Sequence, residues 1–318
     1  MHSIATPTLW IAFAALVVVA LVVDFIVLRA EGPHRVSMRE ALWWSLAWIA
    51  LALAFNAALW FYADLRLGRE AANVIGLEFF TGYLLEKSLA VDNIFVFLMI
   101  FSSFAVPIEL RQRALMLGVL GALVLRGVMI FVGAALVARF DWILYIFGVF
   151  LFVTGLRMLR GHGEQPDIMQ HPVLLWIRRG LHMTDGFHGT ALSVVENGRR
   201  AFTPLFAVLV LIAVCDVIFA VDSIPAIFSV TTDPFIVLTS NVFAVLGLRA
   251  LFFVLARMAD KFHLLGYGLA ATLIFIGTKM LIAGFWHMPI SLALGVVVLL
   301  IGGSIVASLA IPPSAERE

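Results

Sequence analysis

Long apolar runs separated by short polar connections set the pattern of this chain. Near residues 8–28, 41–62, 74–103, 112–138, 140–159, 203–231, 233–257, 265–286 and 288–311 the sequence stays predominantly apolar. Each run has about the 20 residues that carry a helix across roughly 30 Å of hydrocarbon. The pattern predicts an all-α fold, a polytopic transmembrane bundle of nine spans. The first run follows "MHSIATPT", which has no Lys or Arg, and it is longer than a signal-peptide core, so it is expected to stay as a helix.

Composition sharpens this picture without changing it. The 318 residues are 63% hydrophobic, against about 45–50% in a soluble domain, so the lipid bilayer is the expected environment. A net charge of +1 argues against a nucleic-acid partner. The single cysteine, Cys215, allows neither an internal disulfide nor a Cys-x-x-Cys motif.

The basic residues of the connections set orientation, because Lys- and Arg-rich loops stay cytoplasmic. With the N-terminus outside, thirteen fall in cytoplasmic segments: Arg29, Arg35, Arg39, Arg111, Arg113, Arg160, Arg178, Arg179, Arg199, Arg200, Arg257, Lys261 and Arg317. Three, Arg66, Arg69 and Arg139, fall outside. The C-terminus and the long connection 161–202 are then cytoplasmic. Within that connection "HPVLLWIRRGLHM" (171–183) is expected to form an amphipathic helix on the membrane surface.

Five basic residues remain inside spans, and they expose an internal repeat. "EKSLAVDNI" (86–94) matches "DVIFAVDSI" (216–224), Arg126 of "LGALVLRG" matches Arg249 of "FAVLGLRA", and "GLRML" (155–159) matches "GTKML" (277–281). Two units of three spans, 74–160 and 203–287, therefore follow each other with inverted topology, an architecture of transporters. Residues 1–73 add two peripheral helices, and 288–318 add the last span and a short tail. In the added helices Asp24 is expected at a membrane interface and Asn56 in an interhelical hydrogen bond.

The repeat places Glu86 and Asp92 in one unit and Asp216 and Asp222 in the other, all near the bilayer midplane. An ionised carboxylate there costs about 2.5–3.5 kcal/mol on insertion scales unless it is paired or hydrated. The four read as a central cation site, with Lys87, Arg126 and Arg249 as counter-charges; the alternative is a set of structural ion pairs with those same bases. Residues six apart on a helix lie roughly 120° apart, so convergence on one ion needs a bent or unwound segment, and Pro225 is expected to provide it. Asn93 and Ser223 are either further oxygen ligands or helix-packing residues. All eight histidines (His2, His34, His162, His171, His182, His188, His263 and His287) fall in loops, termini or span ends. An oxygen-dominated site suits manganese, magnesium or calcium better than copper or zinc.

"EKSLAVDNIFVF", "VIFAVDSIPAIFSVTTDPFIVLTSN" and "VLGLRALFF" resemble the TerC family of integral membrane proteins over roughly residues 40–310. The resemblance implies divalent-metal transport, chiefly manganese export across the bacterial inner membrane, and it puts the family's acidic motif on Glu86, Asp92, Asp216 and Asp222. Ala213 stands where the family often has a glutamate, so one ligand or proton carrier is missing. The expected protein is a manganese or related divalent-cation exporter working by alternating access, with protons as counter-ion, no cofactor besides its metal substrate, and no enzymatic activity. A non-transporting membrane scaffold or metal-delivery partner for secreted proteins is the competing reading. An intramembrane aspartyl protease is disfavoured, because no Gly-x-Gly-Asp is present.

Overall fold

The computed structural model describes residues 4–31, 36–140, 142–160, 182–196, 199–258, 264–286 and 288–311. These hold ten helices: α1 (Pro7–Glu31), α2 (Met38–Leu67), α3 (Arg69–Ser103), α4 (Ile108–Arg139), α5 (Ile143–Arg160), α6 (Pro204–Phe228), α7 (Pro234–Leu246), α8 (Leu248–Leu255), α9 (Leu265–Ile282) and α10 (Ile290–Ala310). Seven of them (α1, α2, α4, α5, α6, α9 and α10) are long and apolar enough to cross a membrane. The pair α7–α8, bent by 45°, passes as an eighth broken span. α3 has the length, 35 residues, but Glu70, Glu78, Glu86, Lys87 and Asp92 interrupt its apolar run. The protein is thus a polytopic helical membrane protein.

Local sequence explains where the helices start and stop. Ser37 caps α2 in a reciprocal box with Glu40, each side chain 3.2 Å from the other's backbone nitrogen. Gly68, at φ +88°, separates α2 from α3 in a left-handed conformation that suits glycine. α6 and α7 each begin with a proline, whose missing N–H costs nothing at a helix start, and the Asp233 side chain caps α7 by accepting from the Phe235 nitrogen at 2.8 Å. Buried hydroxyls inside α7 are satisfied within the helix: Thr239 donates to the Phe235 carbonyl and Ser240 to that of Ile236.

Packing interlocks the two halves of the chain. α3 packs along α7, α4 along α6, and α5 along α9. The last seam is the tightest, because Gly148, Gly155 and Gly277 let the backbones touch; a Cβ on Gly277 would stand 2.6 Å from the Phe152 nitrogen. One apolar cluster joins α3, α4, α6 and α8, a second joins α1, α2, α3 and α7, and a third joins α5, α9 and α10. Val18, Val22, Phe61, Val124, Val128, Leu299 and Val306 point outward, as expected where the solvent is lipid.

Two local expectations are corrected, and a third falls mostly outside the described residues. α6 stays helical through Pro225 to Phe228, since the proline removes only the bond to the Val221 carbonyl and the helix ends three residues later. The discontinuity lies at Gly247, between α7 and α8. Part of the connection expected as loop forms an antiparallel hairpin, β1 (Ser193–Glu196) with β2 (Arg199–Phe202), pairing Ser193 with Phe202. The "NG" at 197–198 is the sequence signal for such a hairpin. Most of the expected surface helix at 171–183, from 171 to 181, lies outside the described residues.

Candidate cation site

α3 contributes Glu86 and Asn93, and α6 contributes Asp216 and Ser223. Within each helix the two residues are seven apart, two turns, which sets them within about 20° of one another on the same face. Both faces turn toward Arg126 of α4. The Arg126 Nε donates to the two Asp216 oxygens at 3.1 and 3.2 Å, and Nη2 donates to Asp216 Oδ1 at 3.0 Å. Nη1 forms an ion pair with Glu86 Oε1 and reaches the Ser223 hydroxyl at 3.5 Å. With its amide turned to satisfy both ends, Asn93 donates to the Leu89 carbonyl and accepts from Arg126 Nη2, each at 3.2 Å.

This cluster is sealed. Arg126 is 2% exposed, Glu86 0% and Asp216 2%, so the charges see a low dielectric and must neutralise one another locally. Oxygens from two helices, two of them carboxylates, surround a single cationic centre supplied by a third helix.

Asp222, another expected site residue, lies apart from it. Asp222, six residues beyond Asp216, is half-buried and is hydrogen-bonded by the Thr154 side chain of α5. The Asp92 backbone lies in α3, and its side chain is outside the described residues. Among the described residues, no three His, Cys, Asp or Glu side chains gather closely enough to hold a metal ion. Two of the four expected carboxylates therefore meet, at Arg126, because the spacing of seven rather than six controls which side chains share a face. Of the expected counter-charges, Lys87 donates to the Ala244 carbonyl at 3.1 Å, just before the break at Gly247. Arg249 pairs with Asp24 at 2.5 Å. Asp24 is therefore a buried partner rather than an interface residue, and Arg249 holds α8 to α1. The Asn56 Oδ1 has no partner among the described residues and lies beside Trp60 and Asn73.

Three polar groups escaped the sequence reading. Glu78 accepts from the Thr231 hydroxyl at 2.9 Å in a cleft of about 710 Å³ that Tyr62, Arg66, Thr232 and Asp233 also line. Asn241 of α7 is 1% exposed, with both amide atoms lacking a partner among the described residues, and the same holds for the Tyr83 hydroxyl of α3. Glu78 sat in an apolar run and could have been noticed by the same rule that selected Glu86. Asn241 and Tyr83 give no charge signal.

Comparison with known proteins agrees with this architecture. The family described as "Integral membrane protein TerC family" matches residues 71–316. Alx of Escherichia coli strain K12, named a candidate membrane-bound redox modulator, is 53% identical over 93% of this chain and 92% of its own length. A Myxococcus xanthus membrane protein of uncharacterised function is 47% identical over 96% and 93% of the two chains. One from Rickettsia felis is 38% identical over 94% and 97%. No solved structure matches.

Proposed function

We propose, from the premise that the chain belongs to the TerC family of integral membrane proteins, that it exports divalent cations, manganese foremost, across the bacterial inner membrane. The observation that carries this reading is the convergence of Glu86, Asn93, Asp216 and Ser223 from two helices on one buried cationic centre. Ionisable groups buried inside a membrane bundle are rare and costly to place, and such groups mark ion pathways even where they pair with one another. Carboxylate, amide and hydroxyl oxygens are ligands for a hard cation, and the site lacks the imidazole and thiolate that copper and zinc favour.

In this reading the ion enters from the cytoplasm and exchanges water for protein oxygens between the two three-helix units. It leaves outward as those units rock against each other. Asp222 of α6 flanks the route. Protons are the counter-ion, since a carboxylate vacated by metal in a dry site gains proton affinity. The N-terminus is outside, the C-terminus is cytoplasmic, and no enzymatic reaction is assigned. The redox role in the name of the Alx relatives would not come here from an internal dithiol couple, because Cys215 is the single cysteine of the chain.

A second reading, a metal-holding scaffold that moves no ion, is favoured by the same clamp, because Arg126 fills its centre. Manganese flux into liposomes containing the purified protein separates the two. The exporter reading expects protein-dependent accumulation that is lost in Asp216→Asn. Saturable manganese binding with no flux would leave the scaffold.

A further inference from the structure

We propose that Arg126 is a tethered competitor of the transported cation: its guanidinium occupies the place of the ion, leaves the oxygens when the ion binds, and returns to expel it. This inference rests on the transport reading above and adds how the site releases its cargo.

Geometry and charge carry the proposal. Four side chains that a divalent cation would use all direct an oxygen at the guanidinium: Glu86 and Asn93 from α3, Asp216 and Ser223 from α6. The lone pairs turned to the guanidinium are not open to a second cation. Glu86, Asp216 and Arg126 together carry one net negative charge. Replacing the guanidinium by a divalent ion brings that core to neutrality, whereas adding the ion with Arg126 still in place would leave a net positive charge in a sealed, low-dielectric pocket. Exchange is therefore favoured over joint occupancy.

The competitor can leave the oxygens only by moving. A guanidinium stays protonated inside a protein, so it cannot be removed by losing its proton and must move instead. It reaches the site on a long flexible stem from α4, a helix that carries neither Glu86 nor Asp216. A lysine in its place could not hold Asp216 through two nitrogens, so it would compete less well. The consequence for transport is a trade: an internal cation lowers apparent affinity for the substrate, and in return keeps the two carboxylates from trapping it. Without the competitor, ion binding tightens and release slows.

The test measures manganese binding and flux separately, on the full-length chain. Wild type, Arg126→Lys and Arg126→Gln are purified in detergent, checked for a single peak by size exclusion, and titrated with manganese chloride while thermal unfolding is followed. Each is also reconstituted for flux. Arg126→Gln should bind manganese on the order of tenfold more tightly or better, with KM and maximal flux falling together. Arg126→Lys should lie between. Should Arg126→Gln be too unstable to purify alone, growth and purification in manganese should restore it, because the ion then neutralises Glu86 and Asp216; a merely structural arginine would not be rescued by metal. The proposal is overturned if folded Arg126→Gln binds manganese no more tightly than wild type, or if metal fails to rescue an unfolded one. Wild type that neither binds nor transports manganese would sink the transport reading itself. Wild type that transports normally beside an Arg126→Gln with unchanged affinity sinks this inference alone.

Discussion

Asp216 and Asp222 share helix α6 yet answer to different neighbours: Asp216 is buried against the Arg126 guanidinium of α4, while Asp222 is half-buried against the Thr154 side chain of α5. Their separation of six residues turns one about 120° from the other. Two aspartates that look alike in the sequence therefore have different physical duties.

Asparagine substitution should separate those duties. Asp216→Asn removes one partner of a buried ion pair, a loss of about 3–5 kcal/mol, so thermal stability in detergent should drop clearly together with manganese flux. Asp222→Asn exchanges a charged acceptor for a neutral one beside a hydroxyl, worth about 1 kcal/mol. It should abolish flux while expression and stability stay near wild type. Wild-type flux in Asp216→Asn would show that Asp216 is not an essential ligand, and in Asp222→Asn that Asp222 is not needed along the route.

Much of this was legible in the sequence, for reasons that are specific. Apolar run length marks helices well because it reports one physical length: the nine runs fall on α1 to α6, the bent pair α7–α8, α9 and α10, and of these all but α3 are long and apolar enough to cross a membrane. Intramembrane charge selected Glu86, Asp216 and Arg126 because nothing cheap explains a charge there. What sequence could not give was direction around each helix and the choice among several possible partners. Arg126 of "LGALVLRG" and Arg249 of "FAVLGLRA" stand in similar stretches of sequence, yet one meets Glu86 and Asp216 while the other meets Asp24 of α1. Proline at 225 suggested the bend, but its nearness to the helix end left little to distort, and the break came at Gly247, where Lys87 reaches the Ala244 carbonyl.

The Arg249–Asp24 contact gives a prediction about α1. With side chains only 8% and 12% exposed, this pair should behave as a buried salt bridge, in which breaking is costly and replacement is mild. Arg249→Leu and Asp24→Leu should each lower stability by about 3 kcal/mol or more, and the double variant should recover most of that loss. Thermal unfolding of the four proteins reads the cycle directly. Additive losses would mean that the two side chains are not coupled. Because the pair lies away from Glu86 and Asp216, the double variant should retain manganese flux.

The α5–α9 seam predicts a contrast between glycines. A Cβ at Gly277 would meet the Phe152 nitrogen at 2.6 Å, and one at Gly155 would meet the Ala270 carbonyl oxygen at 2.7 Å, whereas Gly295 of α10 has open space. Gly277→Ala and Gly155→Ala must push two backbones apart and should cost about 1–3 kcal/mol. Gly295→Ala should be neutral or slightly stabilising, since alanine is the better helix former. Equal melting temperatures for all three variants would refute the close-packed seam.

Selectivity follows from the hardness of the oxygens. Calcium takes about six to eight oxygens at roughly 2.3–2.6 Å, and magnesium demands near-ideal octahedral geometry at about 2.0–2.1 Å and sheds water reluctantly. The groups at Arg126 are two carboxylates, an amide and a hydroxyl on separate turns of two helices, an irregular set that suits neither extreme. Manganese accepts such oxygen ligands and stands lowest in affinity among the first-row transition metals, so it binds without being trapped. Zinc prefers nitrogen and sulfur, but every histidine stands in a loop, a terminus or a span end of the sequence, and Cys215 sits beside Asp216 on the helix, about 100° away from it. In a competition flux assay in liposomes, manganese should therefore outcompete magnesium and calcium by a modest margin, with zinc a weak substrate at best. Replacing Cys215 with Ser should leave that order unchanged. Preferred zinc transport, or a change of order in Cys215→Ser, would mean that the thiol enters the site by a rearrangement that α6 would have to undergo during transport.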